Sequence, residues 1–257
     1  MSTNARSAAG RSPLEQPARV VAVLRADRGL AQALGGEELR RAEAAAQARV
    51  IDASPGDWDI APEPERFRGW LGLLVLDGLL ARNVEVGAMS WTELLGPGDL
   101  LQPWTRVNET SSTLPAQARW RVIEPTRMAV LDRDFAVRVA PWPEVTAALL
   151  ARAIERTRWL TYQLATRRPA RIDERVWMAL WHLADRFGRV TGRGCELILP
   201  GLTHDALAVI LGARRPTVSS ALGRLSERGL VTQERRGAWL LHGDARAGLE
   251  RIGASGD

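Results

Sequence analysis

Apolar positions recur with a helical period in the C-terminal third of the chain. They predict a short helix that Thr203 caps at its start and Gly212 ends, with Leu207, Ile210 and Leu211 on its apolar face. A second amphipathic helix is predicted around Pro216, a residue suited to a first helical turn. Its apolar positions are Val218, Ala221, Leu222 and Leu225. Two helices joined by this short glycine-containing turn form a helix-turn-helix.

After Gly229 the pattern changes to two short apolar runs, 230–232 and 238–241, around a polar segment that ends in glycine. Such a pattern predicts a β-hairpin. A helix-turn-helix followed by a hairpin is a winged helix, and Arg235 and Arg236 would lie at the tip of the wing.

The outward positions of the second helix and the wing carry side chains suited to DNA. Arginine can pair with guanine through two hydrogen bonds, and hydroxyl groups can meet phosphates in a major groove. Arg215 is the first candidate for a base contact. Ser219, Ser220 and Arg214 are the next candidates for base contacts. The candidates for phosphate contacts are Thr217, Arg224, Arg235 and Arg236. One alternative is a helical hairpin in an ordinary core with solvated arginines. Another is a winged helix that contacts RNA polymerase or another protein.

A long amphipathic helix is predicted from Pro143 to about Arg168. Its apolar stripe is wide, so one side should pack on the preceding domain and the other on a second copy of the chain. The alternative is a helix packed within one chain only. The residues predicted at the dimer interface are Val145, Leu149, Ile154, Trp159 and Leu160. A further helix from Arg171 to Phe187 leads to a strand-like stretch at 196–199.

Short apolar runs alternate with turn signals between Val50 and about Asp134. This texture predicts an antiparallel β-roll of the jelly-roll type. Residues 19–49 have a helical period that glycines divide into two short helices, the second at 37–48. The fold class is therefore α+β. The predicted parts are a disordered N-terminus (1–17), a β-roll (18–141), a dimerisation helix (142–169), a winged helix (170–248) and a tail (249–257).

Composition limits the classes of function. The 257 residues suffice for two domains, and the net charge of +5 comes from arginine without any lysine, which GC-rich codon usage explains. The single cysteine excludes an intrachain disulfide and a cysteine-ligated cluster, and three histidines show no metal-ligand spacing. Neither an apolar run of membrane-spanning length nor an N-terminal signal region is present. We expect a cytoplasmic protein that is not an enzyme and needs no metal or cofactor.

Three segments resemble the Crp/Fnr superfamily of bacterial transcription regulators: Asp185–Gly188, Leu202–Ala208 and Gly212–Ser219. The resemblance implies a homodimer with a β-roll sensor, a dimerisation helix and a winged helix that binds double-stranded DNA. It places Arg215, Pro216, Ser219 and Ser220 in the groove and Thr217 at a phosphate, and RNA polymerase is a further candidate partner. Pro216 replaces the acidic residue that some members use to read a cytosine.

The predicted sensor departs from the cyclic-nucleotide-binding members of that superfamily. They carry Gly-Asp-x-x-Gly-Glu and then Arg-Ser/Thr-Ala, whereas this chain has Gln102-Pro103 in the first motif and no Arg-Ser or Arg-Thr pair in 115–119. The resemblance therefore implies another small-molecule effector or none. One hypothesis is an aromatic pocket for an effector, whereas the alternative assigns the tryptophans to the core. The candidate effector residues are Trp91, Trp104, Arg119, Trp120 and Arg121.

Overall fold

The computed structural model describes residues 19–58, 69–87, 89–103, 116–165 and 171–253. The predicted disorder of the first 17 residues and the effector candidate Trp104 lie outside these residues.

The described residues form two compact units. The first contains the residues up to Arg82 together with Leu94–Ala153. The second contains Asn83–Glu93, which includes the end of one strand and the start of the next, and the residues from Ile154 onward.

The first unit is built on the predicted antiparallel β-roll. Its strands are β1 (Arg19–Ala22), β2 (Gln47–Ala53), β3 (Gly56–Trp58), β4 (Gly72–Val86), β5 (Met89–Leu95), β6 (Leu100–Leu101) and β7 (Ala116–Leu131). The sheet order is β1-β2-β7-β4-β5, while β3 pairs with β7 and β6 pairs with β4. Several predicted apolar runs merge into the two long strands β4 and β7, because the sheet continues through the polar residues between them.

Helices flank the roll. They are α1 (Val23–Ala26), a 3-10 turn (Arg28–Ala31), α2 (Gly36–Ala45), α3 (Arg133–Val139) and the first part of α4 (Pro143–Ala165). The predicted helix over residues 19–49 is wrong at both ends. Arg19–Ala22 and the residues from Gln47 are strands that pair with each other, with Val20 opposite Arg49. Sheet pairing over a distance of many residues outweighs the local helical pattern there.

Two apolar clusters hold the first unit together. One fills the roll with eleven buried side chains, against which the half-buried Trp70 and Trp120 pack. The other joins the flanking helices to the roll and includes Phe135, Val145 and Leu149. The start of α4 is therefore part of the core of its own chain.

The second unit contains the predicted winged helix. Its elements are the end of α4, α5 (Ile172–Phe187), β8 (Gly188–Thr191), β9 (Gly194–Ile198), α6 (His204–Leu211), α7 (Arg215–Glu227), β10 (Val231–Arg235), β11 (Ala238–Leu241) and α8 (Ala245–Gly253). The sheet order is β10-β11-β9-β8. This architecture confirms the predicted fold class.

Helix α8 was not predicted, and the segment 249–253 assigned to a tail belongs to it. Trp177 of α5 donates a hydrogen bond from Nε1 to the carbonyl oxygen of Ala245, at 2.8 Å. A Cβ atom at Gly248 would lie 2.2 Å from the ring of Trp177, so only glycine allows this close packing. None of the helices among the described residues is long and apolar enough to cross a membrane.

Candidate nucleic-acid interface

The caps of α6 and the start of α7 follow from local sequence signals. The hydroxyl oxygen of Thr203 accepts a hydrogen bond from the amide of Ala206 at 3.2 Å. Gly212 ends α6 in the left-handed conformation, with φ of 59° and ψ of 42°. Pro216 lies in the first turn of α7, where its missing N–H costs nothing. These three features confirm the predicted helix-turn-helix.

Helix α7 has one buried side and one exposed side. Val218, Ala221, Leu222 and Leu225 are all buried. The opposite side at its N-terminal end carries exposed polar residues and the half-buried Ser219. We call this set the recognition surface, and its members are Arg214, Arg215, Pro216, Thr217, Ser219 and Ser220. It also presents the N–H groups of a helix start, which attract phosphate.

Arg215 is held only loosely within this surface. Its Nε lies 3.4 Å from Oδ1 of Asp205, and both side chains are 66% exposed. An exposed ion pair of this kind contributes little free energy. Arg215 can therefore exchange the carboxylate for another hydrogen-bond acceptor at small cost.

Arg224, a predicted phosphate contact, is bound to a carboxylate of its own chain. Its Nε donates to Oδ2 of Asp173 at 2.9 Å, and its Nη2 donates to the other carboxylate oxygen. The carboxylate of Asp173 is 6% exposed, whereas the Arg224 side chain is 44% exposed. The hydrogen bonds to Asp173 raise the pKa of Arg224. A buried carboxylate needs a counter-charge, so Arg224 anchors α7 to α5.

His204 is a residue that the sequence reasoning missed. Its Nδ1 lies 2.8 Å from Oγ of Ser219 on α7, and its Nε2 lies 3.3 Å from Oε1 of Gln233 in the wing. Its ring is tilted against Trp239, with 5.8 Å between the ring centroids. The only available signal was its place directly after the cap of α6, since both hydrogen-bond partners are distant in the sequence.

The wing is the hairpin of β10 and β11, with Arg235 and Arg236 exposed at its tip. The turn requires glycine, because Gly237 has a φ of 73° and a Cβ atom there would meet the carbonyl oxygen of Leu199 at 2.4 Å. Arg193, in the turn between β8 and β9, forms ion pairs of 2.7 Å with both Glu196 and Glu234. The wing is thus tied to the neighbouring hairpin.

The described candidate effector residues belong to different units, with Arg119, Trp120 and Arg121 on β7 of the first unit. Trp120 belongs to the roll core, where its ring meets that of Trp58 edge-on at 6.2 Å. Arg119 and Arg121 flank it on the same strand and point to the opposite face, and Arg121 lies 3.8 Å from Asp57. Trp91 belongs to the second unit. For Trp120 the core interpretation holds.

The candidate dimer residues on α4 separate into two groups. Val145 and Leu149 are 0% and 3% exposed in the core of their own chain, which leaves no side-chain surface for a partner. Ile154 is exposed, and Trp159 and Leu160 are half-buried. The apolar pattern alone did not distinguish the side of α4 that faces the roll from the side that faces outward.

Trp159 and Tyr162 stack on His182 of α5, with ring centroids 4.0 and 5.3 Å away. Burial lowers the pKa of His182 to about 4, and the charge of Arg186 acts in the same direction. The imidazole is therefore neutral at physiological pH. Within the part of the chain that the structure describes, no three His, Cys, Asp or Glu side chains come together as metal ligands.

Residues 174–252 match the family model of the Crp-like helix-turn-helix domain. A CRP-like cAMP-activated global transcriptional regulator of Mycobacterium tuberculosis is 29% identical over 157 residues, which cover 60% of this chain and 67% of the relative. The matched family domain contains the recognition surface and the wing.

Solved structures share the fold. A CooA variant from Carboxydothermus hydrogenoformans is similar with a TM-score of 0.61 and 21% identity, over 79% of this chain and 87% of that one. A cyclic nucleotide-binding domain containing protein from Listeria monocytogenes is similar with a TM-score of 0.60 and 20% identity, over 74% and 88%. The chain therefore contains a Crp-like helix-turn-helix domain at residues 174–252, and its fold is similar to that of these solved structures.

Proposed function

We propose that the protein is a homodimeric, sequence-specific transcription regulator that reads a two-fold symmetric DNA site with α7 of each copy. The observation that carries this proposal is the recognition surface. It is the exposed and mostly polar N-terminal end of α7, whose opposite side is apolar and buried. In a dimer of this type the two half-sites lie about one DNA turn apart, roughly 34 Å. Because a regulator of this type acts on DNA, we propose that it works in the cytoplasm.

The residues of the interface take different roles. Arg215 is the first base-reading residue, since its guanidinium can bind guanine through two hydrogen bonds. Ser219, Ser220 and Arg214 are the next candidates for base contacts. Thr217 and the wing residues Arg235 and Arg236 are proposed to bind phosphates. Pro216 lies among them without a polar side chain, so it contributes shape. Arg224 positions α7 through Asp173 instead of binding phosphate itself.

The proposed dimer interface is the outward stripe of α4. Leu150, Ile154 and Tyr162 are 61%, 47% and 60% exposed there. They are four and eight residues apart, so they lie along one side of the helix. An apolar stripe of this kind on a long helix suits a coiled-coil contact with the same stripe of a second copy.

We further propose that DNA binding does not require a cyclic mononucleotide. The position that is glutamate in the ribose-binding motif is Pro103 here, and the preceding Gln102 donates from Nε2 to the carbonyl oxygen of Leu71 at 3.0 Å. A cyclic phosphate needs a cationic or N–H-rich cradle, and residues 115–119 do not contain the arginine-hydroxyl pair that supplies it in the family. The roll then takes another effector or serves as a fixed scaffold.

The experiment is site selection from randomised DNA by the purified protein, with and without cAMP. We expect a symmetric consensus that is the same under both conditions. Arg215→Ala should relax the consensus at one position of each half-site, while Arg246→Ala, which removes an equal charge from the 90% exposed Arg246 of α8, should leave it unchanged. A consensus obtained only with cAMP would contradict effector independence. No consensus from the unaltered protein would mean either that another effector is required or that the winged helix serves a protein partner, such as RNA polymerase.

A further inference from the structure

Ser219 is the residue of the recognition surface whose hydroxyl group is engaged by another side chain. The Oγ of Ser219 lies 2.8 Å from Nδ1 of His204. A hydroxyl has one proton and two lone pairs, so the direction of this hydrogen bond decides what the oxygen offers to DNA. If the hydroxyl donates to the imidazole, only lone pairs remain for the groove.

The wing fixes that direction. Nε2 of His204 faces Oε1 of Gln233 at 3.3 Å, and an amide oxygen can only accept. With the Gln233 amide in this orientation, Nε2 carries the proton of the neutral ring, which leaves Nδ1 as an acceptor. The hydroxyl of Ser219 then donates to Nδ1. Packing of the ring against Trp239 holds the imidazole in this orientation.

We infer that His204 is a positioning residue that sets the hydrogen-bond polarity of Ser219, so that Ser219 reads a base through an acceptor. The bases that present a donor in the major groove are cytosine, through N4, and adenine, through N6. Guanine presents acceptors there, and thymine an acceptor and a methyl group, so both would be disfavoured at this position. This inference rests on the proposed function, because it requires that α7 enters the groove.

The hydrogen bond between His204 and Ser219 also bears on the acceptor that is missing at Pro216. Pro216 occupies the position at which some relatives carry an acidic acceptor for cytosine, so the chain lacks that acceptor. A Ser219 hydroxyl polarised by His204 supplies an acceptor one helical turn further along α7, on the same side of the helix. The base it meets is therefore displaced from the one that the acidic residue would read.

The first arm of the test needs no DNA. The chain has three histidines, at positions 182, 204 and 242, so long-range ¹H–¹⁵N NMR of ¹⁵N-histidine-labelled protein resolves each ring, with His204→Asn assigning one set. At about pH 8, where an ordinary imidazole is neutral, we expect the His204 tautomer with the proton on Nε2. Gln233→Glu keeps an acceptor and should preserve that tautomer. The proton on Nδ1 would overturn the inference, because Ser219 would then be free to donate.

The second arm measures base preference on the selected DNA site. We expect Ser219→Ala and His204→Phe to lose discrimination at the same single position of each half-site, by about threefold to tenfold, the range that one hydrogen bond gives. His204→Phe retains a ring against Trp239, so a merely structural role of His204 would spare base preference. An equal loss of affinity for all sites would overturn the inference.

The two arms distinguish this inference from the proposed function. A consensus with guanine or thymine at the Ser219 position would overturn the role of His204 and leave the regulator intact. Absence of any consensus would overturn both proposals, and circular dichroism of each variant confirms that a loss does not arise from unfolding.

Discussion

Arg224 of the exposed side of α7 forms a bidentate ion pair with the buried carboxylate of Asp173 at the start of α5, with Nε and Oδ2 2.9 Å apart. The carboxylate is almost entirely removed from water, whereas the guanidinium remains partly exposed. The pair therefore connects α7, the element that we propose to face DNA, to α5 behind it.

Arg224→Ala should lower the free energy of unfolding by about 1–3 kcal/mol. Removing the arginine leaves a buried charge without a partner, and the partial exposure of Arg224 reduces the usual cost of that loss. Urea unfolding measures this change, with Arg246→Ala as the exposed-arginine control. The salt dependence of DNA binding should not change at temperatures where the variant is folded. A fall of about one in the salt slope would instead make Arg224 a phosphate contact.

Arg215→Ala should cost about 1–3 kcal/mol in binding to the preferred site and relax base preference at one position. The reason is the loss of two hydrogen bonds to one base. Arg236→Ala, in the wing, should weaken binding to all sequences alike and reduce the salt slope by about one. Fluorescence anisotropy over a series of salt concentrations on matched and mismatched sites separates the two behaviours. Identical behaviour of the two variants would remove Arg215 from base readout.

Ile154→Glu should shift the protein from dimer to monomer. A charge in the centre of an apolar helix seam loses its hydration without gaining a partner. Val137→Glu is the matched control, since Val137 on α3 is 66% exposed and outside the proposed seam. Sedimentation equilibrium measures the mass of both variants. A dimer that survives Ile154→Glu would place the interface elsewhere.

Acidification should destabilise the protein through His182. Burial lowers the pKa of His182 to about 4, from an ordinary value of 6.5, so the unfolded chain binds the proton more readily than the folded one. The contribution of neutral His182 to the free energy of unfolding is therefore fully present above about pH 6.5. It decreases as the pH is lowered towards 4. The loss should reach about 2 kcal/mol near pH 4.5.

His182→Phe isolates that contribution, because it retains a ring between Trp159 and Tyr162 but has no proton to bind. Urea unfolding of both proteins at about pH 7 and pH 4.5 gives the difference between their pH dependences. The same pH dependence in both proteins would show that His182 is not the titrating group.

Local signals in the sequence were enough for the helix-turn-helix. Thr203, Gly212 and Pro216 each act within one turn of their own position, through a cap, a left-handed residue and a fixed φ angle. The apolar side of α7 follows from spacing alone. These features depend on near neighbours, which a sequence displays directly.

The features that the sequence did not reveal depend on partners far along the chain. Arg224 and Asp173 are 51 residues apart, and Ser219 and His204 are 15 apart. Arg19–Ala22 is a strand because β2 pairs with it, and Val145 is buried because the roll lies against it. An amphipathic pattern shows that a face is covered, but it does not identify the surface that covers it.

We propose that two copies of α7 read two half-sites without an added ligand. Hydroxyl-radical footprinting of the ligand-free protein on its selected DNA site shows whether they do. We expect two equivalent protected tracts whose centres are about one helical turn apart, related by the symmetry of the site. A single protected tract, or uniform weak protection along the whole fragment, would contradict it.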